Sequence, residues 1–486
     1  MAPEALPSLP PLPVLSEHAR AELSAEVRAY LSALEQREIV RDAQIAALAM
    51  RLVELEARLG KDSRTSSRPP STDPPWKSRP PTPPSGKQRG GQPGHPGQSR
   101  LVRDPDAVEA VADHWPSVCP HCQAMLEMGD EVGAPQRQPV WEVPEAPAVV
   151  TEHRRHAVRC PRCRRVVRAE RPADGAVGVC GPRLSALVGL LHGRYRISAR
   201  EVVALLAGVW QVRLSLGSVA ALWQRVGAAL EAGFTEAQAA LEQAPWVNAD
   251  ETGWRRGAAK RWLWGATTPQ VSVFRVAQSR AAVELAPLLG VDFGGIVGSD
   301  RFRAYDTLPL ERRAVCWAHL KRDFAGYADY GGEVGLWGQA ALGEEQALFA
   351  RWHRFRSGEL TRAALQDEVA PIQARVRDLL EQGQSQGATR GFCRELLRLW
   401  PALWTFLSVD GVEPTNNAAE QVLRPAVLWR KGCFGTQSDA GDRFAERILT
   451  VSATCQQQWR DLLAYLTAAV SAHAMGTPPP ALLLTR

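Results

Sequence analysis

VNADETGWR, residues 247–255, is the stretch on which the reading of this chain turns. A strand-like run, PWVNAD (245–250), closes on Asp250, at or near a strand end where a carboxylate can meet a metal ion. Two further acids sit in words of the same kind: Asp300 ends the apolar run of GSDRFRAY (298–305), and Glu420 lies in PTNNAAEQVLRP (414–425). Magnesium is a hard cation that takes a few carboxylates and keeps its waters. Two aspartates and a distant glutamate therefore suit a pair of Mg2+ ions flanking an in-line displacement at phosphorus.

Further short runs rich in aromatic and β-branched residues surround these words: RWLWGATT (261–268), VSVFRVA (271–277), GGIVGSD (294–300) and AVCWAHL (314–320). A helical stretch at about 280–289 separates the third strand from the fourth. Three strands, a helix, two strands and then helices is the order of a ribonuclease-H-like α/β domain, here assigned to 245–470. Residues 332–408 read as almost pure helix and form an insertion before the Glu420 helix.

Each acid taken alone has a bland reading. Asp250 could cap a turn, and Asn417-x-x-Glu420 has the form of a capping box. Asp292 and Asp306 rival Asp300, but neither closes a strand. Glu251 points to the opposite face from Asp250 if the strand continues. Asn416, Asn417, Glu420 and Arg424 recur at helical spacing and share a face. The joint setting favours catalysis. In CWAHLKRDF (316–324), Cys316 and His319 are too few for a metal site, so His319 and Lys321 are read as groups near the scissile phosphate. Arg424, Arg430 and Lys431 are read as phosphate contacts, with plain surface charge as the alternative.

Upstream, CPHC (Cys119, Cys122) and CPRC (Cys160, Cys163) are separated by 37 residues. Four thiolates are the tetrahedral set of a structural Zn2+ site, and the gap has room for the strands of a zinc ribbon, placed at 105–175. Between 154 and 171 eight arginines face one acid, Glu170. Arg154, Arg155, Arg164 and Arg165 of this cluster are candidate DNA contacts, because guanidinium groups donate forked hydrogen bonds to phosphate. Residues 181–240 pattern as helix, turn, helix, with Ser215 or Ser218 as caps. They fit either a DNA-reading helix-turn-helix or an ordinary helical hairpin.

Leu31, Leu34, Ile45, Leu48, Leu52, Leu55 and Leu59 follow a heptad seam interrupted at Glu38 and Arg41, with Gly60 as a stop. A coiled-coil helix over 20–60 and a homo-oligomer are expected from it. Ten prolines between Lys61 and Gly97 make 61–104 an extended basic linker. The 486 residues exceed one compact core, while 45% hydrophobic and 23% charged residues are ordinary for a soluble protein. No apolar run reaches membrane-spanning length, and the N-terminus MAPEALPSLPPLPVL lacks the basic start and unbroken apolar stretch of a secretory signal, so a cytoplasmic protein with no membrane partner is expected. Nine cysteines without a secretory context argue against disulfides.

The leucine-repeat helix, KDSRTSSRPPSTDPP (61–75), GGQPGHPG (90–97), the CPHC…CPRC pair, NADETGW, SDRFRAY, CWAHLKRDF and NNAAEQVLRP…RKGCFG resemble, in order, the words of bacterial Insertion Sequence 66 family transposases. The resemblance spans nearly the whole chain. It implies a multidomain α plus α/β protein: coiled-coil helix, zinc ribbon-like module, helical region and DDE catalytic domain with a helical insertion. It implies that Asp250, Asp300 and Glu420 are the DDE triad, with two catalytic Mg2+ ions and a structural Zn2+. DNA would be both substrate and target, and accessory proteins of the same element would assist. A ribonuclease-H-like nuclease or resolvase that cuts without joining, and an inactive zinc-containing DNA-binding protein, are the alternatives.

Overall fold

A computed structural model describes residues 16–59, 62, 110–127, 129, 132–138, 140–145, 147–170 and 179–484. All of the basic linker except Asp62, and the Gly60 stop, lie outside the described residues. Among the described residues no helix is long and apolar enough to cross a membrane. Two compact units divide the chain; of the described residues the smaller takes 110–154 and 203–214.

Helices α1 (Glu17–Ala21) and α2 (Ala25–Leu59) come first, and α2 leaves Ile45, Leu48, Leu52 and Leu55 exposed. The expected helix is present along the heptad seam. Strands β1 (Ala157–Arg159) and β2 (Val166–Arg168) form an antiparallel hairpin. The helical region then gives α3 (Pro182–Gly193), α4 (Ala199–Trp210), α5 (Leu216–Ala229) and α6 (Glu231–Glu242). Of the two expected caps, Ser215 starts α5 by accepting the Ser218 N–H.

Five strands make the main sheet: β3 (Trp246–Arg256), β4 (Ala259–Thr267), β5 (Ser272–Ala277), β6 (Ile296–Ser299) and β7 (Arg313–Val315). Their order is β5-β4-β3-β6-β7, with the first three antiparallel and β6 and β7 parallel to β3. The crossover from β5 to β6 holds a 3-10 turn (Ala282–Glu284) and a five-residue helix, α7 (Leu285–Leu289), much shorter than expected. Strand β3 also departs from expectation. It runs to Arg256 because β4 pairs with it as far as Arg256↔Ala259, across a turn at Gly257 with φ +56°. Asp250 is therefore mid-strand. Pairing with β6 is what stops beside it, at Asn248↔Gly298.

After β7 come α8 (Trp317–Ala328), α9 (Gly332–Arg356), α10 (Arg362–Gly383), α11 (Arg390–Arg398), α12 (Trp400–Leu403) and α13 (Thr405–Ser408). The expected insertion is thus helical throughout. It has its own core, in which Leu348, Val369, Ile372, Leu380 and Leu396 pack with Trp317 and Phe324 of α8. Helices α14 (Asn417–Cys433), α15 (Asp439–Gln457) and α16 (Leu462–Met475) return to the sheet. Leu190, Val226 and Leu241 from the helical region share one core with the sheet and these last helices. The helical region is therefore partly built into the sheet's core.

Helix α15 seals the β5 edge. Thr454, Thr450 and Glu446 accept the N–H groups of Ser272, Phe274 and Val276 at 3.2, 3.1 and 2.7 Å. Four helical residues rise about 6 Å and two strand residues about 6.8 Å, so the two series stay in step. An open sheet edge invites pairing with another chain, and this one is closed.

Candidate active site

The parallel ladder between β3 and β6 has a constant offset: Trp246↔Ile296, Val247↔Val297, Asn248↔Gly298. Two residues further along, the same offset sets Asp250 level with Asp300. Residues level in a parallel pair share a face, so both carboxylates rise from one side of the sheet centre. Asp300 follows the last residue of β6 and accepts the Phe302 N–H at 2.8 Å, which turns the chain away from the strand. Asp250 accepts the Glu251 N–H at 2.9 Å.

Glu420 reaches them through the docking of α14. Asn416, fully buried at the N-cap, donates from Nδ2 to the Ala249 carbonyl at 3.4 Å and from its backbone N–H to Cys316 Sγ at 3.3 Å. Trp317 N–H donates to Pro414 O at 2.8 Å, and Cys316 N–H to Ser299 O at 3.0 Å. The start of α14 is so tied to the middle of β3 and to the ends of β6 and β7 at once. Farther along, Trp429 packs edge-on against Trp254 of β3 at 5.9 Å, an arrangement worth about 1 kcal/mol beyond burial. The alternative reading of Glu420 as part of a capping box is not met. The N-cap makes no side-chain cap bond, and Glu420 turns to Arg322 Nη2 at 3.1 Å and His319 Nε2 at 3.5 Å.

Burial first, and then the negative charges of Glu251, Asp300 and Glu420, push the Asp250 carboxyl well above the usual carboxylate range. Glu251 is also raised, by burial and then by Asp300, against the pull of Arg280. It faces away from Asp250, as expected, into a buried cluster. Its carboxylate accepts from Tyr305 Oη at 2.8 Å and from Arg280 Nε at 2.7 Å. Burial and then the Arg322 charge push the His319 imidazole down, against Asp300 and Glu420, so the ring is neutral near pH 7. Burial raises the Cys316 thiol to about 11, leaving it a protonated packing group.

Among the described residues no three His, Cys, Asp or Glu side chains converge closely enough to hold a metal ion. The donor chemistry nevertheless fits a hard dication. Three carboxylates share one field and raise Asp250, and Glu420 already meets a cation, the Arg322 guanidinium.

Asp300 and Glu420 thus act electrostatically on both Asp250 and His319. Lys321 goes elsewhere, to the buried Glu345 of α9 at 3.1 Å. Arg430 turns inward and donates to the Gly253 carbonyl, bracing β3. Arg424 and Lys431 lie on the exposed face of α14. Sequence reasoning missed Arg322, although its spacing from His319 is one helical turn, and it missed the anchoring role of Asn416.

The cysteine knuckles belong to different compact units, yet each is built alike. Cys119 N–H donates to Ala124 O and Gln123 N–H to Cys119 O, both at 2.9 Å, with Gln123 at φ 61°. Cys160 N–H donates to Arg165 O at 2.8 Å and Arg164 N–H to Cys160 O at 2.9 Å, with Arg164 at φ 62°. Backbone N–H groups pull both leading thiols below their usual pKa: Cys122 then His121 for Cys119, and Cys163 then Arg162 for Cys160. Thiolate is the form that binds zinc, so each knuckle suits half of a tetrahedral set. Of the arginine cluster, Arg154 pairs with Glu152 at 2.8 Å and Arg155 donates to Ala169 O at 2.9 Å, while Arg164 and Arg165 are exposed.

The model of the IS66 transposase family matches residues 178–443, more than half of the chain. The zinc-finger binding domain of transposase IS66 matches residues 116–164, and a family of unknown function matches residues 10–101. A curated relative, the uncharacterized protein y4qI of Sinorhizobium fredii (strain NBRC 101917 / NGR234), is 28% identical over 247 residues. That match covers 45% of this chain and 45% of the relative, so the chain spans about half the length of the curated protein it matches.

Proposed function

Because the chain belongs to the IS66 family of transposases, we propose that its five-stranded sheet is a ribonuclease-H-like catalytic domain of the DDE type. The reaction is phosphodiester hydrolysis at element ends, followed by strand transfer into target DNA. The β3–β6 register carries this reading, since it levels Asp250 with Asp300 on the face to which Asn416 ties the Glu420 helix.

In this reading Asp250, Asp300 and Glu420 hold two Mg2+ ions. Bound there, the ions supply Lewis-acid stabilisation of the attacking and leaving oxygens. The protein's own work is placement. The sheet register sets the two aspartates, Asn416 sets the approach of Glu420, and Arg322 balances the Glu420 charge. Neutral His319 lies within reach of the same carboxylate and can donate a hydrogen bond to a phosphate oxygen. The zinc-finger segment, residues 116–164, carries structural Zn2+ and contacts the element ends, and α2 pairs protomers so that both ends are held together.

The test is cleavage and joining of labelled element-end DNA in Mg2+ by wild type and Asp300→Asn. The expected result is nicked and joined products from wild type, and DNA binding with neither product from the variant. Nicking without joining would favour a nuclease or resolvase. Equal activity of the two proteins would remove Asp300 from the site.

A further inference from the structure

The solvent face of α14 ends on an aromatic residue placed against two ordinary preferences. Phe434 is 70% exposed, although a phenyl ring gains by burial. It also sits in the left-handed region at φ 60°, which disfavours a bulky L residue. The backbone around it is fixed in this state. Thr436 N–H donates to Arg255 O at 3.0 Å and Gly257 N–H to Thr436 O at 2.8 Å. Gly435, at φ +87°, is pressed so closely on the Arg255 carbonyl that a Cβ there would collide with it. The ring is held outward on a rigid mount.

Cations surround that mount. Lys431 precedes Phe434 by one helical turn, Arg255 underlies the loop, and Lys260 is the cross-strand partner of Arg255. Arg424 lies on the same exposed stripe as Lys431, with Asn417 and Gln421 nearer the carboxylates. Arg255, Arg424 and Lys431 make no ion pair among the described residues. Trp459 is also exposed and left-handed, but its neighbour Arg460 is committed to the carbonyls of Ala481 and Leu482. A rigid aromatic with uncommitted cations beside it and along its helix has the makings of a site for single-stranded nucleic acid, where bases stack and phosphates pair with charge.

We propose that Phe434 is the stacking platform for an unpaired base of the bound DNA, with Arg255, Lys431 and Arg424 on the flanking phosphates. The inference rests on the transposase reading and adds to it a distortion of the substrate. From Glu420 to Phe434 the helix rises about 20 Å at about 1.5 Å per residue. At about 3.4 Å per nucleotide, the unstacked base lies about six nucleotides from the phosphate at the carboxylates.

The experiment uses the full chain and fluorescence anisotropy with two probes, a fully paired duplex and the same duplex with one unpaired base. Phe434→Ala is expected to weaken binding to the second probe by about 5- to 150-fold, the range for one base–aromatic stack, and to leave the first unchanged. Phe434→Trp keeps both affinities, and Arg424→Ala weakens both together. Equal affinities of wild type and Phe434→Ala for each probe, or an equal loss on both, overturn the stacking role. If wild type binds neither probe at low salt, the DNA-processing reading itself falls.

Discussion

Asn416 decides more about the site than its few bonds suggest. It lies four residues before Glu420, and its amide reaches the carbonyl next to Asp250. Replacing it with alanine removes that bond, at about 1 kcal/mol of stability by denaturant unfolding. Single-turnover cleavage should fall by a larger factor than DNA affinity; an unchanged cleavage rate would show that the tie is not needed for placement. Glu446 offers a pH test away from the carboxylates. Burial raises its pKa, while the Val276 N–H and Arg275 pull it back. With the folded value above the unfolded one, the native state keeps a proton that the unfolded chain has lost, so stability falls as pH rises through that interval. Glu446→Gln lacks this component. Melting curves from about pH 4 to 7 should show the variant gaining on wild type as pH rises. The sequence singles out the three acids because each sits in a distinct word. Arg322, Asn416 and the Glu251–Tyr305 contact were not legible, because their partners lie 98, 167 and 54 residues away in sequence.

Among elements, the α15 ladder on β5 makes a sharp claim. Thr450→Val keeps the shape but leaves the buried Phe274 N–H without an acceptor, and should cost about 1–3 kcal/mol in urea unfolding. Thr450→Ser should recover most of it; equal stability of all three proteins would mean that the edge is not sealed by these bonds. The strands, their succession along the chain and the helical character of 332–408 were legible from period and composition, while the order of the strands in the sheet was not. The length of β3 was not, since its far half is defined by pairing with β4 and carries the polar run Glu251–Thr252. The crossover helix shrank to five residues for a related reason: its apolar run, Leu285–Leu289, is short, and Gly290 at φ +95° stops it.

At the scale of the molecule, the cysteine words and the heptad seam were the clearest signals. The zinc finger needs a metal ion, and the proposed coiled coil would need a second copy of the chain. Zinc content measured on purified protein should be close to one per chain, and Cys119→Ser with Cys160→Ser should remove it while leaving the secondary structure of residues 179–484 intact. Leu48→Lys with Leu52→Lys on α2 should convert an oligomer to a monomer by light scattering; an unchanged mass would place self-association elsewhere.

The meeting of Trp317 with Pro414, and of Cys316 with Asn416, has a mechanical meaning as well. The chain leaves for the helical insertion and comes back through a single gap, and that gap is where the Glu420 helix starts. A pull on the insertion, from whatever grips it, reaches this gap directly, while Arg301–Glu395 and Thr405–Arg313 carry it to the ends of β6 and β7. The insertion is thus a handle, and its fulcrum bears on Ala249, the residue before Asp250.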